Sequence, residues 1–240
     1  MSNGGGMMRK GVLGVVAALV AAMLAASGCG GSSDGSGSNA HINHESGSTH
    51  ELIPDERTGP APPPVKIENL AKAAEEANCF LLRGAAPKEG KQVSPGTKTP
   101  EYRTNPPVSG PYVKPPYQQA DGAYLNLPAR IDQVGALDHG RMTIQYAPDL
   151  AEKSQLELKG LYDTMYGATL FFPNDEMQFA VAATTWTNLL GCPSYDTQHT
   201  LDAIRAFGKA TWGKGGSQPV ESFPFEGPTP ADPEQPASSK

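Results

Sequence analysis

Cysteine, tryptophan and charge are all scarce in this chain. Its 240 residues include 3 Cys and 2 Trp, with 7% aromatic and 18% charged residues. Three cysteines cannot build the dense disulfide framework that staples small secreted domains, and no C-x-x-C pair spaces them for zinc or dithiol chemistry. Positive charge is short as well: 19 Lys and Arg face 25 Asp and Glu, a formal net charge of −6. Such a chain has no basic field to displace counterions from a phosphate backbone, so no nucleic-acid partner is expected. Beyond the first 29 residues no apolar run approaches the length of about 18 that a membrane helix needs.

Catalytic signatures are missing too. Ser109 lies in Pro-Val-Ser-Gly-Pro and not in G-x-S-x-G, and no Ser is followed three positions later by Lys. No HExxH, C-x2-C or EF-hand pattern occurs, and no glycine loop follows a strand to cradle phosphate. The chain therefore reads as a protein that acts by binding and not by catalysis.

Glycine and proline are plentiful, at 27 and 23 residues, and the glycines cluster toward the two ends. Arg9 and Lys10 precede an uninterrupted small and apolar run from Gly11 to Ala26, too short to span a bilayer and suited to a secretory signal. Ala26-Ser27-Gly28-Cys29 resembles a bacterial lipobox, with Ala26 where Leu is commoner. It implies a lipoprotein signal peptide over residues 1–28, lipidation (palmitate) at Cys29, and a chain held on the extracytoplasmic side of the cell membrane by its anchor. The alternative is an ordinary cleaved signal with an incidental Cys.

Residues 29–66 then read as a flexible stalk, Gly/Ser-rich at first and stiffened by Pro60, Pro62, Pro63 and Pro64. Residues 67–221 are expected to fold as one domain, and 222–240 to be a disordered Pro/Glu-rich tail. Apolar spacing predicts three helices: Ile67–Asn78, one capped at Ser154 by a Ser-x-x-Glu box, and one capped at Thr197 and ending at Gly213. Strands are expected at Arg141–Tyr146, Ala168–Phe172 and Gln178–Thr184, the last two as a hairpin around Pro173-Asn174-Asp175-Glu176. The fold class is α+β, a small mixed or antiparallel sheet packed with about three helices. Its element order is also that of the second half of a thioredoxin-like fold, without the redox motif.

With Cys29 taken by the anchor, Cys79 and Cys192 remain as an even pair in an oxidising compartment, which favours a structural disulfide. The loop-entropy relation gives roughly 4–5 kcal/mol for so long a closed loop. Two unpaired thiols are the alternative.

Three groups carry candidate chemistry. Asp138 and His139 adjoin Gly140 where a loop is expected to become a strand: the carboxylate can orient the imidazole as a base or metal ligand, or His139 simply satisfies local hydrogen bonds. His41, His44 and His50 are the one histidine cluster, able to chelate Cu or Zn weakly from the stalk or else to be part of a solvated tether. From Asn105 to Tyr124 prolines alternate with Tyr112, Tyr117 and Tyr124, next to Ser109; such a stretch can recognise a peptide or glycan, or pack on its own domain. The partners expected are the membrane, through the anchor, and an envelope protein or glycan. No cofactor is expected, Cu or Zn at His139 being the alternative.

Tyr102-Arg103-Thr104-Asn105-Pro106-Pro107-Val108-Ser109-Gly110-Pro111-Tyr112 and Gly135-Ala136-Leu137-Asp138-His139-Gly140-Arg141-Met142-Thr143-Ile144-Gln145-Tyr146 resemble a bacterial family, domain of unknown function 3105, as an actinobacterial lipoprotein member. The resemblance runs from about Leu70 to Glu221 and takes in Cys79, the Trp186 region and Cys192. It implies four positions where relatives often carry His; here they read Gln92, Tyr112, Gly135 and His139, with Asp138 in place of Glu. If those histidines bind metal in relatives, the resemblance implies a lost or remodelled site in this chain, because one His with one Asp falls short of the usual three or more ligands.

Overall fold

A computed structural model describes residues 52–85, 90–113, 121–165 and 169–216. The expected signal segment, Cys29, the histidines at 41, 44 and 50, Tyr117 with Pro115 and Pro116, and the tail lie outside the described residues.

Four helices are described: α1 (Leu70–Glu76), α2 (Arg130–Asp138), α3 (Glu152–Asp163) and α4 (Thr197–Thr211). The strands are β1 (Phe80–Leu82), β2 (Lys91–Val93), β3 (Pro111–Val113), β4 (Gly122–Ala123), β5 (Met142–Tyr146), β6 (Thr169–Pro173), β7 (Val181–Thr185) and β8 (Asn188–Cys192). Six of them form a mixed sheet in the order β1-β8-β7-β5-β6-β4, and β2 and β3 form a small parallel ribbon. The fold is α+β: four helices accompany a mixed sheet in which β1, β8, β7 and β5 pair antiparallel.

β5 sits at the centre, parallel to β6 and antiparallel to β7. Its side chains alternate between two buried faces. Met142, Ile144 and Tyr146 point into the main core with Phe171, Val181, Leu190 and residues of α1, α3 and α4. Thr143 and Gln145 point the other way and form a buried polar ladder: the Thr143 and Thr184 hydroxyls are 2.6 Å apart, Gln145 Nε2 donates to Thr143 Oγ1 at 2.8 Å, and Asn174 Nδ2 donates to Gln145 Oε1 at 2.7 Å. α2 and residues 102–113 supply apolar cover on this second face, where Val134 and Leu137 meet Tyr112 and Trp186 and where Val108 meets Ala182 and Leu189.

Several boundaries differ from expectation, each for a local reason. The hairpin is not between β6 and β7, because β5 lies between them; β7 pairs instead with β8 across Trp186-Thr187. Thr187 holds φ 64, a costly conformation for a β-branched residue, with its N–H donating to Val108 O and its carbonyl accepting from Ala85 N, both at 2.8 Å. Ser154 lies inside α3, whose first residue is Glu152, so the expected capping box does not form. The cap of α4 is Asp196, one residue ahead of Thr197, its carboxylate accepting the His199 N–H at 2.9 Å. α1 is shorter than expected because the backbone N–H groups of Lys66 and Ile67 donate to the Asp202 carboxylate on α4, and Asn69 takes the cap position.

The domain also starts earlier than Ile67. Residues from Leu52 to Lys66, expected as part of a free stalk, form a strap fastened to the body. Asp55 N donates to Ala123 O, and Leu125 N donates to Ile53 O, both at 2.8 Å, so the strap extends the sheet beyond β4. The Arg57 guanidinium grips the buried Asp55 carboxylate with two nitrogens and reaches Tyr146 Oη and Gln155 Oε1 at 3.2 Å. Burial pushes the Asp55 carboxyl up, but the hydrogen bonds and charge of Arg57 outweigh it and leave the group below its ordinary value. Further on, Gly59 crosses α3 against Gly160. The strap ends at Asp202, which also accepts from Gln198 Nε2 at 2.9 Å and pairs with Arg205.

Cys79 and Cys192 are joined as a disulfide, with Cα atoms 4.1 Å apart. It ties the α1–β1 junction to the end of β8, beside the main core.

Candidate functional site

The candidate residues that come together do so around the C-terminal end of α2. The sequence carries no helical period here, and the loop entering a strand expected at Asp138-His139-Gly140 is instead the end of this helix. Residues 131–139 are buried on every side, so no polar face marks a helical period. Its end is nevertheless well specified. Gly140, at φ +78, donates its N–H to Leu137 O at 3.0 Å, and Arg141 N–H donates to Ala136 O at 3.1 Å. This double closure with a left-handed glycine is the Schellman stop, and it is the backbone reason for Gly140.

His139 is the C-cap residue of α2 and is 8% exposed, with Asp138 beside it at 2%. Burial pushes the imidazole below its usual pKa; Asp138 opposes the shift and Arg141 adds to it. Arg141 Nη1 donates to the His139 carbonyl at 2.9 Å and its Nε pairs with Asp121 at 3.2 Å. Burial thus favours the neutral imidazole, which has one nitrogen as donor and one as acceptor.

Tyr112, on β3, is buried against Val134 and Leu137 of α2 and against Trp186 at the β7–β8 turn. Its hydroxyl accepts from Gln92 Nε2 at 3.2 Å, and the two residues are register partners across the β2–β3 ribbon. The four positions singled out by the family resemblance thus fall on two packed elements: Gln92 and Tyr112 on the ribbon, and Gly135 and His139 one turn apart on α2, where His139 N–H donates to Gly135 O at 3.2 Å. Ser109 is placed differently. It is buried in the segment Pro106–Gly110 beneath the β7–β8 turn, whose Thr187 N–H donates to Val108 O. Tyr112 and Tyr124 also face inward as core residues, so of the two readings of the proline-tyrosine stretch these two follow the one in which it packs on its own domain.

Two features of this corner had no signal in the sequence. Gly90 lies on the Tyr112 and Trp186 rings, where a Cβ would sit 2.5 Å from Tyr112 Cε1 and 3.1 Å from Trp186 Cη2. From the other side, the chain leaving α4 closes on the end of α2. Gly213 N–H donates to Gly140 O at 3.3 Å, a Cβ on Gly215 would sit 2.9 Å from Trp186 Cβ, and one on Gly216 would sit 1.9 Å from Asp138 O. Only glycine fits so near a backbone carbonyl. The Gly-Lys-Gly-Gly run after α4 is packing, each of Gly215 and Gly216 seated against the α2 end or Trp186.

At this corner Tyr112, Trp186 and His139 are buried, and the Gln92 side chain is the exposed polar group at its edge. Among the described residues, no group of three or more His, Cys, Asp or Glu is arranged to hold a metal ion. Among them, too, no helix is long and apolar enough to cross a membrane.

No curated protein and no solved structure matches this chain significantly. Residues 93–220, which include Tyr112, Asp138, His139, Trp186 and the glycines after α4, match a family described as Protein of unknown function (DUF3105), and the chain belongs to that family.

Proposed function

We propose that the protein is a lipid-anchored binding or scaffold protein on the extracytoplasmic side of a bacterial cell membrane, of the kind found in actinobacterial envelopes. The observation that carries this reading is the Cys79–Cys192 disulfide, because such bonds form and persist in oxidising compartments. The lipobox-like Ala26-Ser27-Gly28-Cys29 adds the means of attachment. In this reading the partner is an envelope protein or glycan, met at the exposed Gln92 beside the buried Tyr112, Trp186 and His139 of the α2–β3 corner.

The test is made in a bacterial host, on the whole chain. Cys29→Ala should move the protein from the membrane to the soluble extracytoplasmic fraction, and the wild-type N-terminal peptide should carry acyl mass on Cys29. A wild-type protein that stays soluble and unacylated overturns the reading.

A further inference from the structure

We infer that the edge of the sheet built by Ile53 and Leu125 rests on the lipid surface to which the chain is tethered. This rests on the anchored reading above. Among the described residues four large apolar side chains are exposed: Ile53 at 53%, Leu125 at 45%, Phe80 at 54% and Val65 at 46%. Two of the four are neighbours. The bridge between Pro54 and Tyr124 is antiparallel, so Ile53 lies directly across from Leu125, and Leu125 N–H donates to Ile53 O. Residues directly opposite in an antiparallel pair share one face, so both side chains leave the same side of the strap–β4 edge. Leu52 and Leu127 flank them, half-buried against Tyr124, Leu170 and Phe172, which fixes the backbone of the patch.

The position of this edge in the chain names its occupant. Ile53 is the second described residue, so the chain arriving from Cys29 enters here, and only 22 residues separate Cys29 from Leu52. Tethering makes contact with the membrane intramolecular, so a patch too small to recruit a free protein is held at high effective concentration. The charged groups of this edge fit a shallow, electrically quiet contact. Asp55 is paired with Arg57 and Asp121 with Arg141, and Glu56 remains exposed, which disfavours an anionic surface and suits a zwitterionic one. Phe80, by contrast, is on β1 at the opposite end of the sheet.

The experiment uses the lipidated full chain in phosphatidylcholine vesicles containing a lipid spin-labelled near the headgroup. Leu125→Trp and Phe80→Trp are compared, with the buried Trp186 and Trp212 as common background. Co-flotation with the vesicles reports the anchor, and quenching reports the contact. The expected result is co-flotation of both variants, with quenching of the new tryptophan at least twofold stronger at 125 than at 80. Equal quenching at both sites, or none at 125, in a co-floating protein overturns the contact and leaves the anchor standing. A chain that does not co-float overturns both.

Discussion

Gly59 and Gly160 meet backbone to backbone where the strap crosses α3. A Cβ on Gly59 would lie 2.1 Å from Gly160 N, and one on Gly160 would lie 1.9 Å from Pro60 O. No rotamer change relieves a clash with backbone, so Gly160→Ala must lift the strap. We expect a loss of about 1–3 kcal/mol, the scale of overpacking, with faster amide exchange at Asp55 and Leu125 while α4 stays protected. Unchanged exchange at those amides would show that α3 yields and the strap does not.

Asp202 is the second fastening. Its side chain is buried and collects the Lys66 and Ile67 N–H groups, the Gln198 amide and Arg205. Asp202→Ala leaves a partly buried guanidinium and two backbone donors without their acceptor, for which about 1–3 kcal/mol is expected. Asp202→Asn, keeping one oxygen acceptor, should lose less. Chemical denaturation of the two variants measures the difference; equal losses would mean that packing, not hydrogen bonding, fixes the strap.

Opening the Cys79–Cys192 bond should cost about 2–5 kcal/mol. The bond closes a loop of sequence separation 113 beside the main core. Cys79→Ser, Cys192→Ser and reduced wild type should melt together, below the oxidised protein. A melting temperature insensitive to reductant would exclude a stabilising role.

His139 gives stability a pH dependence of definite sign. Burial lowers its folded-state pKa, so below the ordinary value of 6.5 the unfolded chain binds more protons than the folded one. The contribution is complete above that value and falls as pH drops from about 6.5 toward the lowered folded value. The difference in unfolding free energy between wild type and His139→Gln, followed from pH 7.5 to 5, should therefore shrink as pH falls. A flat difference would place the imidazole in water.

The elements that the sequence announces are those with one wet face. α4 shows it well: Leu201, Ile204 and Phe207 are fully buried, and Lys209 is exposed at its last turn. β5 was legible from its alternation, although both of its faces are buried and Thr143 and Gln145 serve each other instead of water. α2 was not, because Asp132, Gln133 and Asp138 are buried along with its leucine and valine, and a helix enclosed on all sides has no period to read. The strap was hidden for a different reason. Its docking depends on Gly59, Asp55 and main-chain groups whose partners, Gly160, Ala123 and Asp202, are distant in sequence. Of the candidate site, the identity of Asp138, His139 and Tyr112 was visible, and their meeting with Trp186 and the glycines after α4 required the fold.

The span closed by Cys79 and Cys192 has a bearing on proteolysis. The turn from Ser94 to Lys98 is exposed and falls between the two half-cystines. A nick there leaves two fragments covalently joined, moving as one band without reductant and as two with it. A cut ahead of Leu52 does the opposite: it spares the folded body and its closed loop, and sheds them whole from whatever holds residue 29. Shedding and nicking of this protein are therefore distinguishable on a single pair of gels.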